Sequence, residues 1–379
     1  KGSLTLAQPD FQADESLQGG SFMFALVCFL IMLPMIFSVP LLYVGMLPRS
    51  RQQPALLTMS VALMVAIGCW LVFGNYLAFG TNLLQINRFA DLLNGLVQMD
   101  FYLYAIAMLI GTVVGFKHGR YLVIFVPVWT ALVYCPLAHW LWSDGGWLQR
   151  LGALDFSGGI VVHLTAGLTS LVLAKSLTRS REAVVANDFR TDYAATIMIL
   201  VGWLGFNLAP VGGLNAQALQ VLVKTLIAVL AAIAGWCWLT YWRTQSVSLG
   251  DLLNGILCGL VTSTALVGYV GAGTMAVVAV VSGGLCQTAV VQMQHAKRFY
   301  DAVDSFAINA VGGLTGVIGL MVARMVTRQD CVRFAGVELL AVLVAVGLTV
   351  VGTILAQAAA HVSETGLNRL MVRDSKRLE

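Results

Sequence analysis

The sequence predicts an all-α polytopic membrane protein of about eleven transmembrane helices, and three observations carry that prediction. Of the 379 residues, 59% are hydrophobic and 11% charged, with a mean hydropathy of +0.84, a balance that soluble domains do not reach. Apolar runs long enough to cross about 30 Å of hydrocarbon recur along nearly the whole chain. The loops between those runs divide their Lys and Arg unevenly, as the two faces of a membrane protein do.

Taken in order, residues 1–20 are polar, with Asp10, Asp14 and Glu15 and no apolar h-region. They read as an extracellular tail and not as a signal peptide. The lack of an initial Met predicts that the natural chain begins upstream. The first four spans fall at 22–46, 54–79, 92–115 and 121–142, and the fifth, at 157–175, is preceded by Asp155 and contains His163. The sixth and seventh, 192–208 and 216–241, follow; Lys224 lies about 13 Å of helix rise beyond the outer end of the seventh, near midplane. The eighth and ninth, 251–270 and 273–292, are joined so tightly around Gly268 to Gly273 that one re-entrant unit is the alternative. After the tenth and eleventh, 304–323 and 335–361, residues 362–379 form a cytoplasmic C-terminal helix or linker. Leu367, Leu370, Met371 and Leu378 fall close to one helical face, which begins an amphipathic helix or coiled coil, or else a solvated terminal helix.

Fifteen Lys and Arg lie on one side of these spans and six on the other. The positive-inside rule therefore places the N-terminus outside and the C-terminus in the cytoplasm, in keeping with an odd number of spans. The net charge of +4 reflects topology and anionic lipid, and no nucleic-acid surface is indicated. Seven cysteines are scattered singly, without metal spacing or a disulfide framework. No P-loop, nucleophile elbow or H-E-x-x-H occurs, so the sequence points to neither an enzyme, a metal nor a cofactor in these 379 residues.

The fifth span is the most informative. Gly159, His163 and Gly167 recur every four residues, so they share a face on which glycine lets a neighbouring helix approach the imidazole. The tenth span repeats the frame: His163 and Asn309 are each followed by three residues and then Gly-Leu-Thr (Gly167-Leu168-Thr169 and Gly313-Leu314-Thr315). Internal transporter repeats show themselves in this way, with sites at the repeat interface.

The run from Asp155 through Phe156, Ser157, Gly158 and Gly159 to His163 resembles the signature of the Amt/Rh ammonium transporter family. So do the blocks Tyr134 to Trp142, Gly202 to Asn207 and Asp301 to Gly313. The similarity covers roughly residues 20 to 360. It implies two inverted five-helix repeats plus a final helix, a narrow pore through each subunit, and a homotrimer in the cytoplasmic membrane that handles ammonium or ammonia. Residue by residue, it implies that Trp142 is the vestibule aromatic that attracts a cation to its ring face, Phe206 a gating ring, His163 the first of two pore histidines and Asp155 the carboxylate below the vestibule. Each has a plainer reading beside it: an interfacial-belt tryptophan, helix packing, a hydrogen-bonded structural histidine, and an N-cap that ties its loop.

The departures from the family are as informative. The second pore histidine falls on Asn309, whose amide cannot take up and release a proton. Pro210 stands where many members have a vestibule serine. Ungapped alignment puts Val97 at the outer gate phenylalanine, with Phe101 about one turn on as its substitute. Lys224 is either a snorkelling lysine or a cation facing a polar interior, its ammonium group held by backbone carbonyls or by a carboxylate such as Asp155, where it blocks or replaces a cation site. These departures favour an ammonium sensor or receptor domain with impaired or no transport, signalling through its C-terminal helix to a fused or associated cytoplasmic domain. The alternative is a transporter or channel conducting NH4+ or NH3; a third, weaker reading is a structural subunit of mixed trimers.

Overall fold

A computed structural model describes residues 19–86, 88–113, 119–177, 188–296, 304–327 and 331–378. Nearly all of the predicted N-terminal tail lies outside them, as do the side chains of Leu367, Leu370, Met371 and Leu378. The described residues form eleven apolar helices: α1 (Gly19–Gly45), α2 (Arg49–Phe79), α3 (Phe89–Val113), α4 (Gly119–Leu151, with a turn at 143–146), α5 (Gly159–Lys175), α6 (Phe189–Val211), α7 (Ala216–Thr244), α8 (Leu249–Leu266), α9 (Ala272–His295), α10 (Phe306–Val326) and α11 (Cys331–Leu378). All but α5 are long and apolar enough to span a bilayer unaided.

α5 is shorter than expected because the chain through Asp155 stays irregular up to Gly158, whose φ of +102° suits only glycine comfortably. The alternative of one re-entrant unit around Gly268 is not what forms: α8 ends at Leu266, and α9 starts afresh at Ala272. α11 continues without a break from the membrane to Leu378, so the segment after residue 361 is helix.

Five is an odd number of crossings. A second five-helix unit of the same design must therefore start from the opposite face, and α1–α5 and α6–α10 form the two inverted halves. The equivalents α1 and α6 pack closely, with Gly202 and Gly205 of α6 against Met35 and Cys28 of α1. The equivalents α5 and α10 also meet. A Cβ on Gly167 would drive into the backbone of Ala310, and one on Gly313 would come within 2.7 Å of the Gly159 carbonyl. Both helices open into a wide π turn, Gly159–Leu164 in α5 and Phe306–Ala310 in α10, and these turns hold His163 and Asn309. Such turns displace one residue from the regular ladder and recur at functional positions.

α3 runs buried almost end to end at the centre. Leu30, Leu57, Val72, Leu230 and Trp238 point outward, as a lipid-facing surface requires. α11 packs along α5 and is tied at three levels to it and to the residues that flank it. Glu338 Oε1 accepts the Leu154 N–H at 2.6 Å, Thr353 and Thr169 share a hydroxyl bond at 3.1 Å, and Gln357 Nε2 donates to Ser176 Oγ at 3.1 Å. In a medium without water the two buried bonds stand in for ones that solvent cannot supply.

Candidate functional site

A column of rings leads from the end of α4 to the π turns of α5 and α10. Trp142, the last residue of the long part of α4, is partly exposed, and its indole N–H donates to the Asp155 carbonyl at 2.9 Å. Phe101 of α3 lies edge-on to Trp142 at 5.6 Å and against Phe206 of α6 at 4.3 Å. Both phenylalanines are buried, so they close the path between the open tryptophan and what lies below. It is Phe101, one turn on from Val97, that meets Phe206. Beneath them Trp203 stacks on His163 at 5.2 Å with planes 13° apart, and Tyr104 presents its edge to both.

His163 is wholly buried. Its Nδ1 bonds Asn309 Oδ1 at 3.0 Å, while Nε2 has no partner among the described residues. The amide is oriented from its other end, where Asn309 Nδ2 donates to Ser305 Oγ at 3.4 Å and Ser170 Oγ donates to the same oxygen at 2.9 Å. An amide oxygen only accepts, so Nδ1 carries the imidazole proton and Nε2 presents a lone pair. The indole N–H of Trp203 is also buried and has no partner among the described residues.

Asp155 sits at the head of α5 and accepts the N–H groups of Ile160 at 3.2 Å and Val161 at 2.9 Å. Its carboxylate satisfies the open donors of the helix start, the loop-tying role. Ser157 extends this anchorage: Ser157 Oγ donates to Asn207 Oδ1 at 2.6 Å, and Asn207 Nδ2 donates to Thr225 and Ser263 at 3.0 and 2.8 Å. Pro210 lies buried in a 3-10 turn, Ala209–Val211, at the end of α6, with no hydroxyl to offer.

The Lys224 ammonium neither pairs with Asp155 nor reaches the lipid surface. It is buried, and Nζ donates to the Val270 carbonyl at 3.0 Å in the short link between α8 and α9. Of the two partners expected, the backbone carbonyl is the one found, because the lysine stem climbs toward that link while Asp155 is occupied by α5.

Sequence reasoning passed over four residues that the structure brings into play. Tyr104 and Trp203 frame His163. Glu338, wholly buried in α11, holds the backbone beside Asp155, and Asp100 is buried in α3; among the described residues Glu338 Oε2 and both Asp100 oxygens have no partner. The signal for the last two was available, since each is a carboxylate inside an apolar span.

The pattern of the Ammonium Transporter Family matches residues 22–371. Over 312 residues the chain is 30% identical to a putative ammonium transporter of Methanothermobacter thermautotrophicus, covering 77% of this chain and 76% of that protein. It is 29% identical over 325 residues to an ammonium transporter of Bacillus subtilis, with 80% of each covered. In structure it superposes on Saccharomyces cerevisiae Mep2 with a TM-score of 0.79 at 24% identity, over 94% of this chain and 91% of that one. A protein described as a sensor Amt protein gives 0.81 at 20% identity, over 90% and 93%.

Proposed function

Because the chain belongs to the ammonium transporter family, we propose that it binds ammonium or ammonia along the column from Trp142 to His163 and acts as a receptor domain with little or no ammonium transport. The single observation that carries this reading is the bond from His163 Nδ1 to Asn309 Oδ1. The free Nε2 lone pair can accept a hydrogen bond or a proton from a nitrogen below the phenylalanine gate. A proton taken there leaves Nδ1–H facing an amide oxygen that has no proton-accepting capacity near neutral pH. Nothing carries the charge onward through the pair, so the proton returns by the way it came.

In this reading Trp142 and Phe101 offer the cation ring faces, Phe206 closes the path, and Asp155 and Pro210 shape the mouth without charge contact. Lys224 keeps a second positive charge out of the neighbouring interior. The same proposal places the protein as a trimer in the cytoplasmic membrane, N-terminus outside. The helix beyond residue 361 then reaches a fused or associated signalling domain.

A second reading, a working transporter, is favoured by the full set of rings ahead of His163 and by the transporters among the relatives. One experiment separates the two. Proteoliposomes receive an ammonium jump while current is recorded, and binding is measured by calorimetry on the same preparation. Binding with negligible current is the expected result; a robust current abolished by His163→Ala makes the protein a transporter.

A further inference from the structure

Asp100 lies eleven residues past Phe89, the start of α3, about 16 Å along the helix and so near the middle of the hydrocarbon layer. Its side chain has no exposed surface, and neither carboxylate oxygen has a hydrogen-bond partner among the described residues. An ionised carboxylate cannot rest unpaired at that depth, and even a neutral carboxyl needs an acceptor for its proton. A buried acid in a span is therefore a site whose partner is a mobile species.

Position identifies that species. Asp100 immediately precedes Phe101, which meets Phe206 and Trp142. It stands four residues before Tyr104, so the two share a face of α3, and Tyr104 meets His163, Trp203 and Phe206. Asp100 thus flanks the ring column at the level of the gate. The buried Lys224 is committed to Val270. An alkali cation at this level needs a shell of oxygens, whereas one carboxylate carried on α3 beside residues whose rings line the column suits a small cation that donates hydrogen bonds and tolerates π surfaces.

We propose that Asp100 is a second ammonium-binding group, which pairs its carboxylate with an N–H cation beside the Phe101–Phe206 gate. This rests on the reading of the protein as ammonium-binding. Bound there, the cation has been stripped of water but keeps a counter-charge, which allows it to be held above a histidine that cannot relay its proton.

The test is ammonium chloride titration of the full chain by calorimetry, with infrared difference spectra of the same samples. Asp100→Asn is expected to lower ammonium affinity tenfold or more and to remove an ammonium-induced carboxylate band that potassium chloride does not produce. Asp100→Glu, which keeps the charge but moves it by one methylene, shifts affinity at least threefold and retains a carboxylate band; it decides the matter where the Asn variant fails to fold. Ammonium binding and spectra unchanged by either variant, or the same band raised by potassium, overturn the proposal while leaving the parent reading intact. Absence of ammonium binding by the unaltered protein overturns both.

Discussion

Replacing Trp142 separates two contributions that meet in one side chain. The indole presents a face to the path and also ties the Asp155 carbonyl through its N–H at 2.9 Å. Trp142→Phe keeps a ring face and removes the tie, and Trp142→Leu removes both. A neutral hydrogen bond contributes about 0.5–1.5 kcal/mol to stability, and this one stands without ligand, so the Phe variant should lose stability on that scale and bind ammonium nearly as the parent does. The cation–π contribution is about 0.5–2 kcal/mol and acts on binding itself, so the Leu variant should bind ammonium roughly 2- to 30-fold more weakly. Calorimetry on purified protein measures both, and size-exclusion chromatography checks that assembly is intact. The ordering matters more than either magnitude. Equal affinities for Leu and Phe variants would show that the ring face never meets the cation; an unaltered affinity for Leu would return Trp142 to an interfacial anchor.

Asn309→His should restore an ammonium current absent from the unaltered protein, because it replaces the amide oxygen opposite His163 Nδ1 with a titratable ring; solid-supported-membrane recordings in which both proteins stay silent would show that the gate, not the pair, blocks charge. Glu338→Ala leaves the Leu154 N–H buried without its acceptor and should lower stability by about 1–3 kcal/mol. Hydrogen exchange should then rise at 154–156 with Glu338→Gln less affected, and protection unaltered in both would remove Glu338 from the support of the loop. Lys224→Asn takes a positive charge from beside Val270 and should raise ammonium affinity or permit conduction. A variant identical to the parent in both measurements would leave Lys224 with packing and its carbonyl contact alone.

The membrane class and span order were legible because a bilayer imposes length and apolarity on each segment separately, so local windows suffice. The pairing of His163 with Asn309 was legible because repetition in sequence records a shared design, and the glycines four residues on mark where the two helices touch. Phe101 was legible as a substitute for Val97 because one turn of helix preserves direction. Asp100 and Glu338 were overlooked because an apolar window absorbs a single charge without losing its mean. Glu338 finds its partner 184 positions away, a relation set by how α11 lies on α5, which no periodicity encodes. The π turns were invisible for another reason: their residues have ordinary helix propensities, and in α5 the Asp155 carboxylate, remote from any local pattern, takes the Ile160 and Val161 N–H groups of the turn.

The three ties of α11 to α5 and its flanking residues have a mechanical consequence. Joined near Leu154, at Thr169 and at Ser176, the two helices cannot slide past each other without breaking all three bonds. In the proposed receptor reading, a rotation of the segment that carries His163 would reach α11 as a tilt. At 1.5 Å per residue the 48 residues of α11 make a rod about 72 Å long, on which a tilt of about one degree at one end displaces the other by roughly 1.3 Å. Leverage of this kind needs no large movement at the gate: a rearrangement of one ring against another, too small to open a path, becomes a displacement of atomic size at the far end of the rod.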